Sequence, residues 1–345
     1  MIVILGSGVA GASLAWALTR RRQHDVVVLD PLPRDVASSE RATGGFRTQF
    51  ENPLNIRLSL ASLPTFVALG DRIRWRQTGY LHTASDAEGA AELARRADIQ
   101  RAYGLPISHP DVRTVLPFFA EEGITGTNFC PLDGVYHPPS VRAALIAAAQ
   151  EGGATFRFGE SGEPAETRET WVSRASTVVV ACGIWSRAVG ASLGVVLAVT
   201  PSERGVFTVA PAFPLPAMTP LTIDISGGWV FRERDGQLMI VSPGDPNDWP
   251  RVREWLAAHM PTAAVTQPAM HWTGYYEVTF DHHPLVGQTE NPKVWASCGF
   301  SGHGVMHAPA IAENLAAMIL GDSPSLDISA LSPLRTMPLV DATQV

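Results

Sequence analysis

The chain has 345 residues, 46% hydrophobic and only 17% charged, so it can bury a sizeable core and extensive disorder is excluded. Its net charge of −7, with no basic run beyond Arg20-Arg21-Arg22, excludes a surface built for nucleic acid. Cys130, Cys182 and Cys298 are odd in number and far apart, which argues against a disulfide scaffold, a zinc site or a cysteine-ligated cluster, and no metal is expected.

The chain opens on Ile2-Val3-Ile4-Leu5, which reads as a core strand and leaves no room for a signal peptide. A Gly-rich turn, a small apolar helix over Ala10–Leu18 and a second buried strand, Val26–Leu29, follow, ending in Asp30. Residues 38–52 read as a loop and Leu54–Leu69 as an amphipathic helix. Residues 70–135 mix a short strand, Thr78–Thr83, with a charged helix, Ala87–Tyr103. Pro138–Gln150 carries proline in its first turn and Gly152-Gly153 at its stop, which predicts a helix. Thr177–Ala181 is a β-branched run expected of a strand covered on both faces.

Residues 195–270 read as antiparallel strands, with Trp229–Glu233 and Gln237–Val241 flanking the hairpin turn Arg234-Asp235-Gly236. The last segment repeats the opening alternation, with a strand over Lys293–Ser297, a glycine turn over Gly299–Gly304 and then a helix through Leu320. The longest apolar runs, such as Gly194–Val199, are far short of the roughly 20 residues that a membrane helix needs, so the expectation is a cytoplasmic protein without an integral membrane segment. The alternation predicts an α/β fold in which a dinucleotide-binding domain is assembled from residues 1–65, 136–195 and 272–345. Residues 66–135 and 196–271 would then form a mixed or antiparallel sheet domain for the substrate.

Gly6-Ser7-Gly8-Val9-Ala10-Gly11 fits Gly-x-Gly-x-x-Gly between a strand and a helix. The first glycine allows the tight turn, the second lets backbone approach a pyrophosphate, and the third lets helix and strand pack closely. The helix start offers unpaired N–H groups to the phosphates. Asp30, with Pro31 beside it, closes the second strand where a carboxylate can accept from ribose hydroxyls. An acid there disfavours a 2′-phosphate, and therefore NADP, but leaves FAD and NAD both open.

Cys298-Gly299-Phe300-Ser301-Gly302-His303-Gly304-Val305-Met306-His307-Ala308-Pro309 resembles the C-terminal flavin signature of the D-amino acid oxidase superfamily. More narrowly, it resembles the branch that holds sarcosine oxidase, glycine oxidase and D-amino acid dehydrogenases. Gly44–Phe50, Val178–Ser186 and Trp272–Gly287 agree with that branch in order and spacing. The aromatic hydroxylases, a rival flavin class, differ over Asp281–Gly287. The resemblance implies noncovalent FAD in a Rossmann-like domain of the glutathione-reductase type. It implies that Thr43, Gly44, Gly45, Ala181, Gly183, Gly274, Gly299, Gly302, His303, Gly304, Val305 and Met306 line the cofactor, beside the N-terminal turn. A helix starting after Gly302-His303-Gly304 presents N–H groups near flavin N1 and O2, where negative charge collects on reduction.

The implied reaction is oxidation of the C–N bond of an amino acid or secondary amine by hydride transfer to flavin N5, giving an imine. Such a site needs a grip on the substrate carboxylate more than it needs a nucleophile. By resemblance, Arg47 falls where an arginine binds that carboxylate, a task its planar fork suits. Tyr276 and His303 complete the candidate catalytic set, and Arg204 or Arg232 could add a second positive charge. Gly274 stands where sarcosine oxidase has its flavin-attaching cysteine. Met239 and Met306 stand where that enzyme has lysines, and Lys293 is the one lysine of the chain. Oxygen and a quinone therefore both stay open as electron acceptor. Two other readings remain: a flavoenzyme of the same fold oxidising a hydroxy acid or polyol, with His303, His282 or His283 as base, and a flavin subunit of a larger complex.

Overall fold

The computed structural model describes residues 1–23, 25–31, 37–120, 122–159 and 168–339. Parts of the expected domain segments, residues 24, 32–36, 121, 160–167 and 340–345, lie outside the described residues.

The β-branched runs near the N-terminus and in the middle of the chain become neighbours. Ile2–Leu5 pairs in parallel with Val26–Asp30 on one side and with Thr177–Val180 on the other. Val294–Cys298 adds next to Thr177–Val180, and Leu285–Gln288 closes that edge as the one antiparallel strand. Thr155–Phe158 forms the opposite edge, giving a six-stranded sheet. The helices Val9–Arg20, Pro138–Glu151 and Gly304–Leu320 pack together over this sheet. The apolar faces of the first and last meet Ile2, Ile4, Val26, Val28 and Val179 in one core. Continuous burial on both faces is why these strands read as unbroken apolar runs.

The second sheet has seven strands, in the order Met270–Val278, Thr200–Val209, Gln237–Val241, Trp229–Arg234, Leu221–Asp224, Tyr80–Ala84 and Gly126–Cys130. All neighbours are antiparallel except Leu221–Asp224 with Tyr80–Ala84. One face carries Leu81, Phe207, Phe231 and Ile240 into a core closed by the helix Trp249–His259. The other face looks toward the first domain. The α/β class with a Rossmann-like sheet and a second mixed sheet is thus as expected.

Three details differ from the sequence-based reading. Met270–Val278 pairs along its whole length with Thr200–Val209, so the boundary expected at residue 272 falls inside a strand of the second sheet. The helix Trp249–His259 interrupts a stretch expected to be strands; Asp248 caps it by accepting from Arg251 N, with proline in the first turn. The loop expected over 38–52 contains a helical turn, Ser38–Arg41, and a short strand, Gly45–Phe46, that pairs with Gly134–Val135.

Candidate active site

A cavity of about 1300 Å³ runs between the two sheets. Ordinary small-ligand pockets hold about 300–1,000 Å³, so this one has room for a cofactor and a substrate together.

At its first end, Gly6 turns the chain with φ +99°. A Cβ on Gly6 would collide with the Ala181 carbonyl oxygen, and one on Gly11 with the Gly6 carbonyl oxygen. A Cβ on Gly8 would meet nothing nearer than Ser39 Oγ at 3.9 Å, because Gly8 faces the cavity. The first and third glycines therefore close the turn while the second leaves its backbone open. The helix Val9–Arg20 has no side-chain cap, so its first N–H groups point at the cavity as an anion site. This is the donor set that a dinucleotide pyrophosphate requires.

Asp30 Oδ2 accepts from Ser7 N at 2.8 Å and from Ser7 Oγ at 2.7 Å. Behind Ser7 stands Arg142, delivered by the helix Pro138–Glu151. Its Nε donates to Ser7 O at 2.8 Å, Nη2 to Ser7 Oγ at 2.7 Å, and Nη1 to Glu40 at 2.6 Å. The phosphate turn is thus braced from beneath by a buried guanidinium. Nothing local marks Arg142 in the sequence, where it reads as one polar residue of the predicted helix.

At the other end, Gly299, Ser301 and Gly302 all take positive φ before the helix Gly304–Leu320 begins. That helix too lacks a side-chain cap at its N-terminus. Gly302 must be glycine for a second reason: a Cβ there would lie 2.9 Å from Cε2 and Cζ of Tyr276. Of the cofactor residues expected from the sequence, Gly11 and Gly299 shape their turns without lining the cavity, and every other one lines it.

Arg47, Tyr276 and His303 all line the cavity. Arg47 Nη2 lies 2.9 Å from His303 Nε2, and its guanidinium sits 4.4 Å above the Phe50 ring. Burial and the Arg47 charge hold the His303 pKa well below its usual range, so the ring is neutral. The backbone after Arg47 is pinned by Asp133, which accepts from Thr48 N at 2.7 Å, Thr48 Oγ1 at 2.6 Å and Gln49 Nε2 at 3.0 Å. Burial nonetheless raises the Asp133 pKa to about 6. Burial likewise raises that of Tyr276, which stays a neutral phenol and a hydrogen-bond donor.

The other candidates separate. Arg204 lines the cavity with its guanidinium 5.3 Å over the Tyr276 ring. Arg232 does not line it; Nη1 donates to the Gly44 carbonyl at 2.5 Å and braces the Gly44-Gly45 turn, so it supplies no second charge to the ligand. His282 and His283 do not line the cavity either, and His283 Nε2 faces Asn55 Nδ2 at 3.1 Å. That removes them as bases for an alcohol substrate. Met306 lines the cavity, whereas Met239 is buried in the second sheet and does not.

Tyr80, Tyr136 and Glu277, which no motif in the sequence marks individually, also line the cavity. Glu277 Oε2 is buried without a hydrogen-bond partner among the described residues. Burial pushes its pKa up to about 7, against the N–H groups of Gly299 and Phe300 that favour the carboxylate. A lone acid in the aromatic run Gly274–Val278 was the available signal. Among the described residues, no group of three or more His, Cys, Asp or Glu side chains is placed to hold a metal. No helix among them is long and apolar enough to cross a membrane.

The family model described as FAD dependent oxidoreductase (DAO) matches residues 1–318. The FAD-dependent oxidoreductase domain-containing protein 1 of Bos taurus is 28% identical, over 92% of this chain and 81% of its own. A glycine oxidase of Geobacillus kaustophilus is 26% identical over 97% and 96%. The crystal structure of L-proline dehydrogenase from P. horikoshii superposes with a TM-score of 0.83 at 22% identity, covering 96% of each chain, a likeness of fold.

Proposed function

From the premise that this chain belongs to the DAO family of FAD dependent oxidoreductases, with FAD as its cofactor, we propose that it oxidises the C–N bond of an amino acid or secondary amine. The substrates would be of the sarcosine, glycine, proline or D-amino acid type, and the product an imine that water then hydrolyses. The observation that carries this reading is the cluster of Arg47, His303 and Tyr276 on the cavity wall, at the start of the helix Gly304–Leu320. Relatives named for glycine and proline oxidation support the same class.

FAD, when bound, supplies the hydride acceptor at N5. The chain supplies the rest. Gly8 and the start of the helix Val9–Arg20 would hold the pyrophosphate, and Asp30 the ribose end. The N–H groups after His303 would face flavin N1 and O2. Arg47 grips the substrate carboxylate with its fork, and the Tyr276 phenol donates a further hydrogen bond. Neutral His303 fixes the plane of the guanidinium and carries no charge that would repel an amine. Gly274 lines the cavity where a covalent link would need a cysteine, which supports noncovalent FAD. Three free cysteines support a reducing compartment such as the cytoplasm.

The test is anaerobic bleaching of the purified yellow protein by glycine, sarcosine, proline and D-amino acids, with hydroxy acids as controls. Bleaching by an amine and not by hydroxy acids is expected. Bleaching by hydroxy acids alone would overturn the reading. Acid precipitation should leave intact FAD in the supernatant, and flavin retained on the denatured chain would refute noncovalent binding.

A further inference from the structure

Among the side chains that the second sheet presents to the cavity is a row that is wholly aliphatic over four adjacent strands. Val206 pairs with Val241, Val241 with Val230, and Val230 with Ile223. The strands are in register, so these four Cβ atoms lie in line on one face. All four line the cavity. With strands about 4.8 Å apart, the row spans about 14 Å. It is recessed: Val206, Ile223 and Val241 are only 4%, 5% and 7% exposed. The residues that alternate with them along the strands, Phe207, Ile240 and Phe231, point the other way into the second domain's core.

We propose that this row is a specificity platform that selects a substrate bearing an aliphatic body of three or more carbons, so that proline-like or aliphatic amino acids are preferred over glycine and sarcosine. The inference rests on the amine-oxidising reading above and narrows its substrate. None of the four side chains has a donor or acceptor. A polar substituent laid on them would lose its water without a replacement partner, whereas each methylene gains by leaving water. Glycine has nothing to place there.

The test uses the FAD-loaded enzyme and unreactive carboxylates, acetate through pentanoate, titrated by the change they cause in the flavin absorbance. Dissociation constants should fall about fourfold per added methylene, the equivalent of about 0.8 kcal/mol each. The variants Val230→Thr and Val241→Thr keep the side-chain shape and should flatten that series. Equal affinity for acetate and pentanoate, or an undiminished increment in both variants, would overturn the platform. In a second arm, aliphatic amino acids at low concentration should reduce the flavin at least tenfold faster than glycine does, and glycine as the fastest substrate would overturn it as well. If no amino acid reduced the flavin while the carboxylate series held, the amine reading would fail and the platform would stand.

Discussion

The guanidinium of Arg47 meets Nε2 of His303 at 2.9 Å while resting 4.4 Å above the Phe50 ring, and Phe50 in turn packs edge-on against His303 with ring centroids 5.0 Å apart. Arginine keeps its protons throughout the physiological range, so Nε2 is the acceptor and the ring proton sits on Nδ1. The pair is therefore one charged unit with a set orientation.

Replacing Arg47 by lysine keeps a charge but removes the planar fork and the stacking on Phe50. Substrate binding should weaken by about 1.5–3 kcal/mol, roughly 10- to 150-fold, with a smaller effect on the limiting rate of flavin reduction. Anaerobic stopped-flow reduction across substrate concentrations separates the two quantities. An unchanged apparent affinity would remove Arg47 from the substrate site.

Arg142 gives a prediction about the cofactor alone. Its two hydrogen bonds hold Ser7, and Ser7 holds Asp30. Arg142→Met keeps much of the buried bulk but leaves the Ser7 carbonyl without that donor and the turn without its brace. FAD affinity should fall by about 1.5–3 kcal/mol, read as quenching of flavin fluorescence by the apoprotein. Wild-type affinity in a folded variant would show that the turn is set by its glycines alone.

How far the chain could be read in advance follows from how local each signal is. Gly6, Gly8, Gly11 and Asp30 sit within one strand–turn–helix–strand unit, and the structure puts Gly6, Gly8 and Asp30 on the cavity wall and leaves no room for a Cβ at Gly6 or Gly11. Gly299–Gly304 was legible for the same reason. Arg142 was not, because it acts on Ser7 across 135 positions. The distinction between Arg204 and Arg232 was equally hidden. Both lie on strands of one sheet, and only the position of the Gly44 carbonyl decides that Arg232 is a brace while Arg204 faces the ligand space. The boundary near 272 failed because Met270–Val278 belongs to one sheet while its C-terminal end delivers residues to the other domain's turn.

Glu277 offers a test by pH. Its pKa rises from 4.5 to about 7 on folding. Below pH 4.5 the carboxyl is neutral folded or unfolded. Between about 4.5 and 7 the unfolded chain ionises first and binds fewer protons, so this group's contribution to stability falls as pH rises. Glu277→Gln never ionises. The variant should match the wild type near pH 4.5 and become progressively more stable than it toward pH 8. Thermal melts of the flavin-free proteins across that range give the comparison. A difference that is flat, or that shrinks with rising pH, would contradict the raised pKa.

The electron acceptor can be argued from where positive charge lies. Transfer of the first electron to oxygen builds negative charge beside the flavin, and a preorganised cation there speeds it. The chain's one lysine, Lys293, donates from Nζ to Val172 O at 2.8 Å and Ser173 O at 3.3 Å, in contacts away from the cavity lining. Met306 lines the cavity where the resemblance would put a lysine, and Met239 is buried outside it. A protonated His303 would have been a substitute, but Arg47 donates to its Nε2 and holds it neutral. What remains is guanidinium charge: Arg41, Arg157 and Arg168 also line the cavity, and beside the candidate site stand Arg47, which the proposed reading commits to the substrate carboxylate until product leaves, and Arg204, whose Nη1 donates to Ser202 Oγ at 2.9 Å and Glu203 O at 3.0 Å. Both spread their charge over a plane instead of presenting it as a point. Reduced enzyme should therefore pass electrons to a soluble quinone faster than to oxygen. The measurement is reoxidation of photoreduced protein in air-saturated buffer against the same buffer made anaerobic and supplied with quinone. Rapid and complete reoxidation by oxygen, with one peroxide formed per flavin, would identify an oxidase and show that an arginine in this cavity does what the missing lysine does elsewhere.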